Sequence, residues 1–111
     1  MPTLTTAELA QAWFDTLSDS RAHAALCSED CTIWHSFDDK TIGLQAAVAA
    51  VADHGGHPPK SNERFTLMDG GFVVQYSAPL RGKTVHICAV IRAENGKVTS
   101  IEEYIGPEYD L

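Results

Sequence analysis

The stretch that decides the fold is residues 26–51, LCSEDCTIWHSFDDKTIGLQAAVAAV. It predicts the end of a helix, an acidic turn, a strand over Cys31–Phe37, a second acidic turn and an Ala/Val-rich helix. His35 lies inside the predicted strand, among side chains that favour burial. Because histidine gains or loses a proton near neutral pH more readily than other side chains, His35 is the first candidate for a functional residue.

Two helices are predicted before this strand. Thr5 and Glu8 form a capping-box pattern, so the first helix begins near Thr6. A break at Ser18–Ser20 precedes a short second helix over Arg21–Cys27. The first helix has one apolar face, since three large side chains recur at helical spacing: Leu9, Trp13 and Leu17.

A third helix is predicted after the strand, from about Gly43 to His54. Gly55 and Gly56 would end it, because glycine favours the position after a helix. Pro58 and the proline that follows predict an extended linker. The buried stripe of this helix is formed by Leu44, Ala47, Val48 and Val51.

From Asn62 onward the apolar period becomes two, which predicts strands. Four strands over 65–69, 72–78, 83–93 and 97–105 are separated by turn signals at 69–71, 79–82 and 94–96. Helices followed by a run of strands indicate an α+β fold. We expect one single domain over residues 1–111, with helices covering one face of a curved, mostly antiparallel sheet and a hollow between the layers.

Composition excludes several classes of protein. A net charge of −7 would repel a phosphate backbone, so no nucleic-acid partner is expected. No apolar run is long enough to span a membrane, and no signal peptide is visible, so a cytoplasmic location is expected. Cys27, Cys31 and Cys88 are odd in number and lack zinc-ribbon spacing, which fits a reducing compartment and predicts no metal site.

Three stretches carry a resemblance to a known family: Trp13–Asp30 leading into Thr32–His35, Gly43 at the start of the third helix, and Gly96–Tyr104. Together they span nearly the whole chain, which resembles the nuclear-transport-factor-2-like superfamily, in its SnoaL-like and steroid-isomerase-like branch. The resemblance implies a cone-shaped domain with a pocket between the helices and the concave sheet. It also implies a homodimer formed through the convex sheet face.

The steroid-isomerase mechanism does not carry over, because the residues that perform it differ here. Alignment of the strand and Gly43 places His35 near the family's carboxylate base. The segment Ala10–Phe14 contains no tyrosine to act as the oxyanion donor, and Cys88 falls near the family's protonated aspartate. The resemblance therefore leaves the chemistry open.

His35 is the predicted catalytic residue, acting as a general base or acid on a proton next to a carbonyl or on a leaving hydroxyl. The alternative is a core histidine bonded to the backbone or to the Asp38–Asp39 turn. An apolar cavity around it would bind substrate through the remaining candidates: Trp13, Tyr76, His86, Cys88 and Tyr104. Packing or interface roles stay open for His86 and Tyr76.

Two further groups of polar side chains are candidates for a site. Only one of Glu102 and Glu103 can point inward on a strand, and because burial of a carboxylate is costly we expect both to be exposed, with the inward orientation left open. His54 and His57 flank two glycines without fixed geometry, so a solvent loop is expected there rather than a metal site. No cofactor is required.

Two main hypotheses follow. The first is a small-molecule pocket protein with isomerase, cyclase or dehydratase activity on a small hydrophobic substrate. The second is a non-catalytic dimeric module that binds a ligand or a partner. A dimerisation domain whose pocket is filled by its own side chains is a third. The dimer face is expected to carry a second apolar surface, for example Val73, Val85, Ile87 and Ile91.

Overall fold

The computed structural model describes residues 3–53 and 59–110. The elements in chain order are α1 (Thr6–Phe14), α2 (Ser20–Ala25), β1 (Cys27–His35), β2 (Lys40–Gly43), α3 (Leu44–Asp53), β3 (Ser61–Met68), β4 (Gly71–Leu80), β5 (Lys83–Glu94) and β6 (Lys97–Pro107). The predicted α+β class is confirmed, while the cone shape stays a prediction. The predictions at His54–Pro58 lie outside the described residues.

The helices begin where side chains can bond free backbone N–H groups. At α1 the Glu8 N–H donates to Thr5 Oγ1 over 3.1 Å, and the Thr5 N–H donates to Glu8 Oε1 over 2.9 Å, which confirms the capping box. Asp19 caps α2 by accepting from the N–H groups of Arg21 and Ala22. The buried face of α1 packs against β3 and β4, which fixes Trp13 at the edge of the core.

The six strands form one sheet in the order β2-β1-β6-β5-β4-β3. β1 and β6 run parallel, and the other neighbouring strands run antiparallel. The predicted meander from β3 to β6 is present. Its last turn uses Asn95 and Gly96 with φ of 52° and 75°, the left-handed conformation that an Asn-Gly hairpin requires.

β2 was not predicted from the sequence. The sequence predicts a turn at 38–40 and a helix from about Gly43, but Lys40–Gly43 pairs with β1 as a short edge strand. Four residues are too few for an alternating pattern to be recognised. β1 also begins at Cys27, ahead of the predicted Cys31, and its register with β6 shifts between Cys27 and Thr32.

The inner face of the sheet carries three of the four apolar side chains that the sequence predicts for the outer face. Val85, Ile87 and Ile91 are buried with the core, so their assignment to a second apolar surface is wrong. The reason is register: Ile91 pairs with Phe72 and therefore shares the inner face, whereas Val73 pairs with Val90 on the outer face. Homodimerisation through the outer face stays a prediction, which light scattering at micromolar concentration checks.

Across the described part of the chain, no helix has the length and apolar character needed to cross a bilayer.

Candidate functional site

A cavity of about 370 Å³ lies between the helices and the inner face of the sheet. Most of its wall is apolar and comes from several elements, including Ile33, Ile42, Val48, Ile87, Ile101 and Ile105. Trp13 and Tyr76 also line it, at positions where the sequence placed them. A cavity of this kind takes up a ligand mainly through apolar contact and orients it with a few polar groups.

His35 and Glu103 face this cavity together. They are aligned partners across the parallel pair of β1 and β6, and aligned positions of parallel neighbours present their side chains to the same face. Both side chains line the cavity. The expectation that both glutamates are exposed is wrong for Glu103, because its neighbours two residues away, Ile101 and Ile105, also point inward. That alternation was the available signal.

The acidic turn does not hold the imidazole of His35 with a carboxylate. Asp39 Oδ1 instead accepts a hydrogen bond of 2.9 Å from Trp34 Nε1 on the outer side of the strand. The His35 ring lies 4.9 Å from the ring of Phe37, centre to centre. The imidazole is therefore packed beside an aromatic ring at the cavity wall, and its positive charge acts on the pKa of Glu103.

The electrostatics of the cavity favour neutral oxygen acids. Burial raises the pKa of Glu103, and the positive charges of His35 and Lys60 only partly oppose that shift. Burial, followed by the negative charge of Glu103, raises the pKa of Tyr76. The Tyr76 hydroxyl therefore keeps its proton, and Glu103 changes charge at a higher pH than an exposed carboxyl does.

Lys60 is a cavity residue that sequence reasoning missed. Its Nζ is buried without a hydrogen-bond partner in the described part of the chain, and it lies 5.2 Å from the centre of the Tyr76 ring. Burial lowers the pKa of Lys60, while Glu63 and Glu103 act in the opposite direction. Since Lys60 precedes the first strand of the meander and belongs to no periodic pattern, no local signal indicated its direction.

His23 and His86 lie on opposite sides of the sheet and have different surroundings. His23 stacks on Trp13 with ring centres 3.8 Å apart, and its Nε2 lies 2.9 Å from the Trp13 carbonyl oxygen. This pair forms one end of the cavity wall. His86 lies on the outer face, because it alternates on β5 with the inward Val85 and Ile87.

The predicted cavity roles of His86, Cys88 and Tyr104 are corrected by this alternation. All three line a separate groove on the outer face. Tyr104 is 44% exposed, and its hydroxyl donates to Glu102 Oε2 over 3.1 Å. Its ring lies 5.1 Å from that of Trp34, whose strand position is also outward. None of these side chains can contact a ligand in the cavity.

The outer groove holds a chain of polar contacts that resembles a hydrolase relay. Ser77 Oγ lies 2.9 Å from His86 Nδ1, and His86 Nε2 lies 3.1 Å from Glu108 Oε2. Ser77, however, is only 4% exposed, so a substrate carbonyl has no approach to its oxygen. These contacts join β4, β5 and the residue that follows β6.

Neither a nucleophilic cysteine nor a metal site is found among the described residues. Cys27 lines the cavity, but the hydrogen bond with the Cys31 thiol and burial raise its pKa, so it stays a thiol rather than a nucleophilic thiolate. Within residues 3–53 and 59–110, no group of three or more His, Cys, Asp and Glu side chains is placed to hold a metal ion.

No protein-family model matches the sequence, and no curated protein matches it. Solved structures do. An NTF-2-like protein of unknown function from Burkholderia xenovorans LB400 superposes with a TM-score of 0.80 at 18% identity, covering 96% of this chain and 86% of that one. This chain has the NTF2-like fold. The fold that the predicted resemblance implied is thereby confirmed.

Other solved structures of similar shape are described by an activity. A putative ketosteroid isomerase from Kribbella flavida matches with a TM-score of 0.72 at 18% identity, over 96% of this chain and 81% of that chain. An LEH-like epoxide hydrolase from M. tuberculosis matches with a TM-score of 0.64 at 14% identity, over 88% and 80%. At such identities the shared property is the NTF2-like fold, so function depends on the side chains of the cavity.

Proposed function

We propose that this NTF2-like protein is a cofactor-independent enzyme that transfers a proton on a small, mainly apolar substrate, as isomerases, cyclases and dehydratases do. The observation that carries the proposal is the placement of His35 and Glu103, aligned on adjacent strands and facing one apolar cavity. A single polar group in such a cavity suits binding alone. Two titratable groups that face the same space suit acid–base catalysis.

Each side chain has a role that its surroundings support. Ionised Glu103 accepts a proton from an acidic C–H of the substrate, and its raised pKa makes it a stronger base than an exposed carboxylate. His35 donates or returns a proton at the neighbouring oxygen or carbon. The Tyr76 hydroxyl, protonated because burial raises its pKa, offers a hydrogen bond to the substrate. The apolar wall keeps bulk water from the base.

The names of two fold neighbours agree with this class of chemistry. One is called a putative ketosteroid isomerase and the other an LEH-like epoxide hydrolase. Both names describe reactions of small molecules. They support the general class for this chain, while His-assisted proton transfer rests on its own His35 and Glu103.

A non-catalytic binding module is the second candidate. The observation that favours it is the largely aliphatic wall of the cavity, which would hold a hydrophobic ligand without any reaction. This hypothesis predicts that a hydrophobic ligand binds without being converted, and that its affinity does not depend on the charge of His35. The third hypothesis, a pocket filled by its own side chains, fits poorly with a cavity of about 370 Å³.

The experiment uses a generic proton-abstraction probe, 5-nitrobenzisoxazole. A base removes its C3 proton, the N–O bond breaks, and a coloured phenolate is released. We expect the protein to accelerate this ring opening, and we expect Glu103→Gln to reduce the rate by roughly 10²-fold or more. His35→Gln should reduce it as well. The rates are measured by absorbance at fixed pH.

Matched controls lie on the outer face. Glu102→Gln and His86→Gln remove the same chemical groups from positions that do not face the cavity. Both should keep the rate of the original protein. If Glu103→Gln and His35→Gln are folded by circular dichroism and still turn over the probe at the original rate, the proposal of proton transfer by this pair is wrong.

A further inference from the structure

Lys60 is a charged cavity residue that the proposed proton transfer does not use. Its Nζ is buried, and no acceptor lies within hydrogen-bond distance in the described part of the chain. The ring of Tyr76, 5.2 Å away, attracts a cation. An ammonium carries three donors, and one aromatic face does not replace the water that burial removed from them.

The nearby carboxyl groups do not supply the missing acceptor. Glu63 and Glu103 are close enough for their charges to act on Lys60. Among the described residues, however, the ion pairs at contact distance join other side chains, His86 with Glu108 and Arg92 with Glu102. The donors of Lys60 are therefore directed into a cavity whose remaining wall is mainly aliphatic.

A negatively charged oxygen is the group that best satisfies a buried ammonium. Hydrogen bonds between two charged groups are about twice as strong as those between neutral groups, and a low-dielectric surrounding strengthens them further. We propose that the ligand of this cavity is an apolar molecule with one carboxylate, and that Lys60 Nζ binds that carboxylate. The inference rests on the proposed function only in placing the ligand in the same cavity.

Glu103 is compatible with an anionic ligand. Because burial raises the pKa of Glu103, its neutral form is more accessible than that of an exposed carboxyl group. Neutral Glu103 donates a hydrogen bond to a carboxylate and does not repel it, and the fraction of protein with ionised Glu103 carries out the proposed proton transfer. The apolar body of the ligand would then lie against the isoleucines of β1, β5 and β6: Ile33, Ile87, Ile101 and Ile105.

The test compares three probes of nearly equal size: 3-cyclohexylpropanoate, its primary amide and the corresponding alcohol. Dissociation constants are measured by isothermal titration calorimetry with the whole protein. We expect the carboxylate to bind at least about tenfold more tightly than the amide or the alcohol, as a charge-assisted hydrogen bond in a buried site implies.

Variants assign the preference to Lys60. Lys60→Gln should remove the carboxylate preference and leave the affinity for the alcohol within about threefold, since the aliphatic contacts are unchanged. Lys60→Arg keeps a cation and should retain most of the preference. Lys83→Gln removes the same charge from an exposed position at the start of β5 and should leave the preference intact.

Several outcomes would overturn the inference: equal affinity for carboxylate and amide, a carboxylate preference that survives in Lys60→Gln, an equal loss in Lys83→Gln, or no binding of the carboxylate at millimolar concentration. His35→Gln separates the two proposals, because it should reduce proton transfer and keep the carboxylate preference. If the original protein accelerates ring opening but binds the carboxylate and the amide equally, the Lys60 role alone is rejected.

Discussion

His35 on β1 and Glu103 on β6 are aligned across a parallel strand pair, and both side chains face the same cavity. The same alignment places Trp34 opposite Glu102 on the outer face. Each of these two inward residues therefore follows an outward residue that has a similar backbone environment. A Glu→Gln substitution at position 103 or at position 102 therefore tests the inward and the outward carboxylate separately.

Glu103→Gln is expected to stabilise the protein at neutral pH by about 1 kcal/mol. The folded pKa of Glu103 lies above its ordinary value of 4.5. Its contribution to stability is therefore fully present below pH 4.5 and is lost as pH rises through the folded pKa. Glutamine does not ionise and keeps that contribution.

Urea unfolding of both proteins at pH 4 and pH 8 measures this effect. The gain should be larger at pH 8, and Glu102→Gln should show no comparable gain because its carboxylate is partly exposed. A Glu103→Gln protein that is less stable at pH 8 would contradict the buried, raised-pKa description of this carboxyl group.

The rate of benzisoxazole opening is expected to rise with pH as Glu103 ionises, with a midpoint above 4.5. A positive charge on His35 lowers the pKa of Glu103. His35→Gln removes that charge, so the midpoint of the remaining activity should move upward. His86→Gln should leave the midpoint in place. A downward shift in His35→Gln would show that the two groups do not interact as described.

Binding of the carboxylate probe is expected to take up protons near the pH at which Glu103 titrates. A second negative charge beside Glu103 raises the pKa of that carboxyl further, and Tyr76 is already protonated. Calorimetry in two buffers with different ionisation enthalpies gives the number of protons bound. Glu103→Gln should reduce the uptake towards zero, and undiminished uptake in that variant would assign the proton to another group.

Gly71→Ala is expected to destabilise the protein by about 2–4 kcal/mol, or to prevent folding. A Cβ at this position would overlap the backbone carbonyl oxygen of Ile91, on the neighbouring strand, so the backbone would have to shift. Gly43→Ala is the matched control, because a Cβ there has no heavy atom within 4 Å among its described surroundings. Thermal unfolding of the two variants should differ sharply, and equal midpoints would contradict the packing of β4 on β5.

Asp19→Ala is expected to cost about 1 kcal/mol, since its carboxylate accepts from two N–H groups at the start of α2. Asp19→Asn keeps an acceptor and should cost only a few tenths of that. The stack of His23 on Trp13 depends on α2, so fluorescence of Trp13 in a Trp34→Phe background reports the local effect. If Asp19→Ala destabilises the protein but leaves the Trp13 fluorescence unchanged, the Asp19 cap does not influence the His23–Trp13 stack at the cavity wall.

Local signals in the sequence were sufficient for much of the fold. The capping box at Thr5 and Glu8 and the Asn95-Gly96 turn involve neighbours in the chain, so residue types alone indicate them. The inward direction of Tyr76 was also anticipated. These predictions needed no knowledge of which strands become neighbours.

The other side chains of the cavity could be predicted only by knowing which distant segments of the chain pair with each other. His86 was grouped with Tyr76, although Tyr76 pairs with Ile87 and the two side chains therefore share a face that excludes His86. The pairing register of two strands joined by a turn decides which side chains share a face. A shift of one residue in that register moves every side chain of a strand to the other face. His35 and Glu103 meet only after β6 has paired with β1.

The parallel pairing of β1 and β6 also sets when the site can exist during folding. Nearly the whole meander lies between His35 and Glu103 in the chain, so their meeting closes one of the longest loops in the fold, and contacts of this kind slow folding. Partly folded chains can form the β3–β6 meander from local hairpins and still lack the acid–base pair. Appearance of proton-transfer activity during refolding would thus mark the joining of the first and last strands.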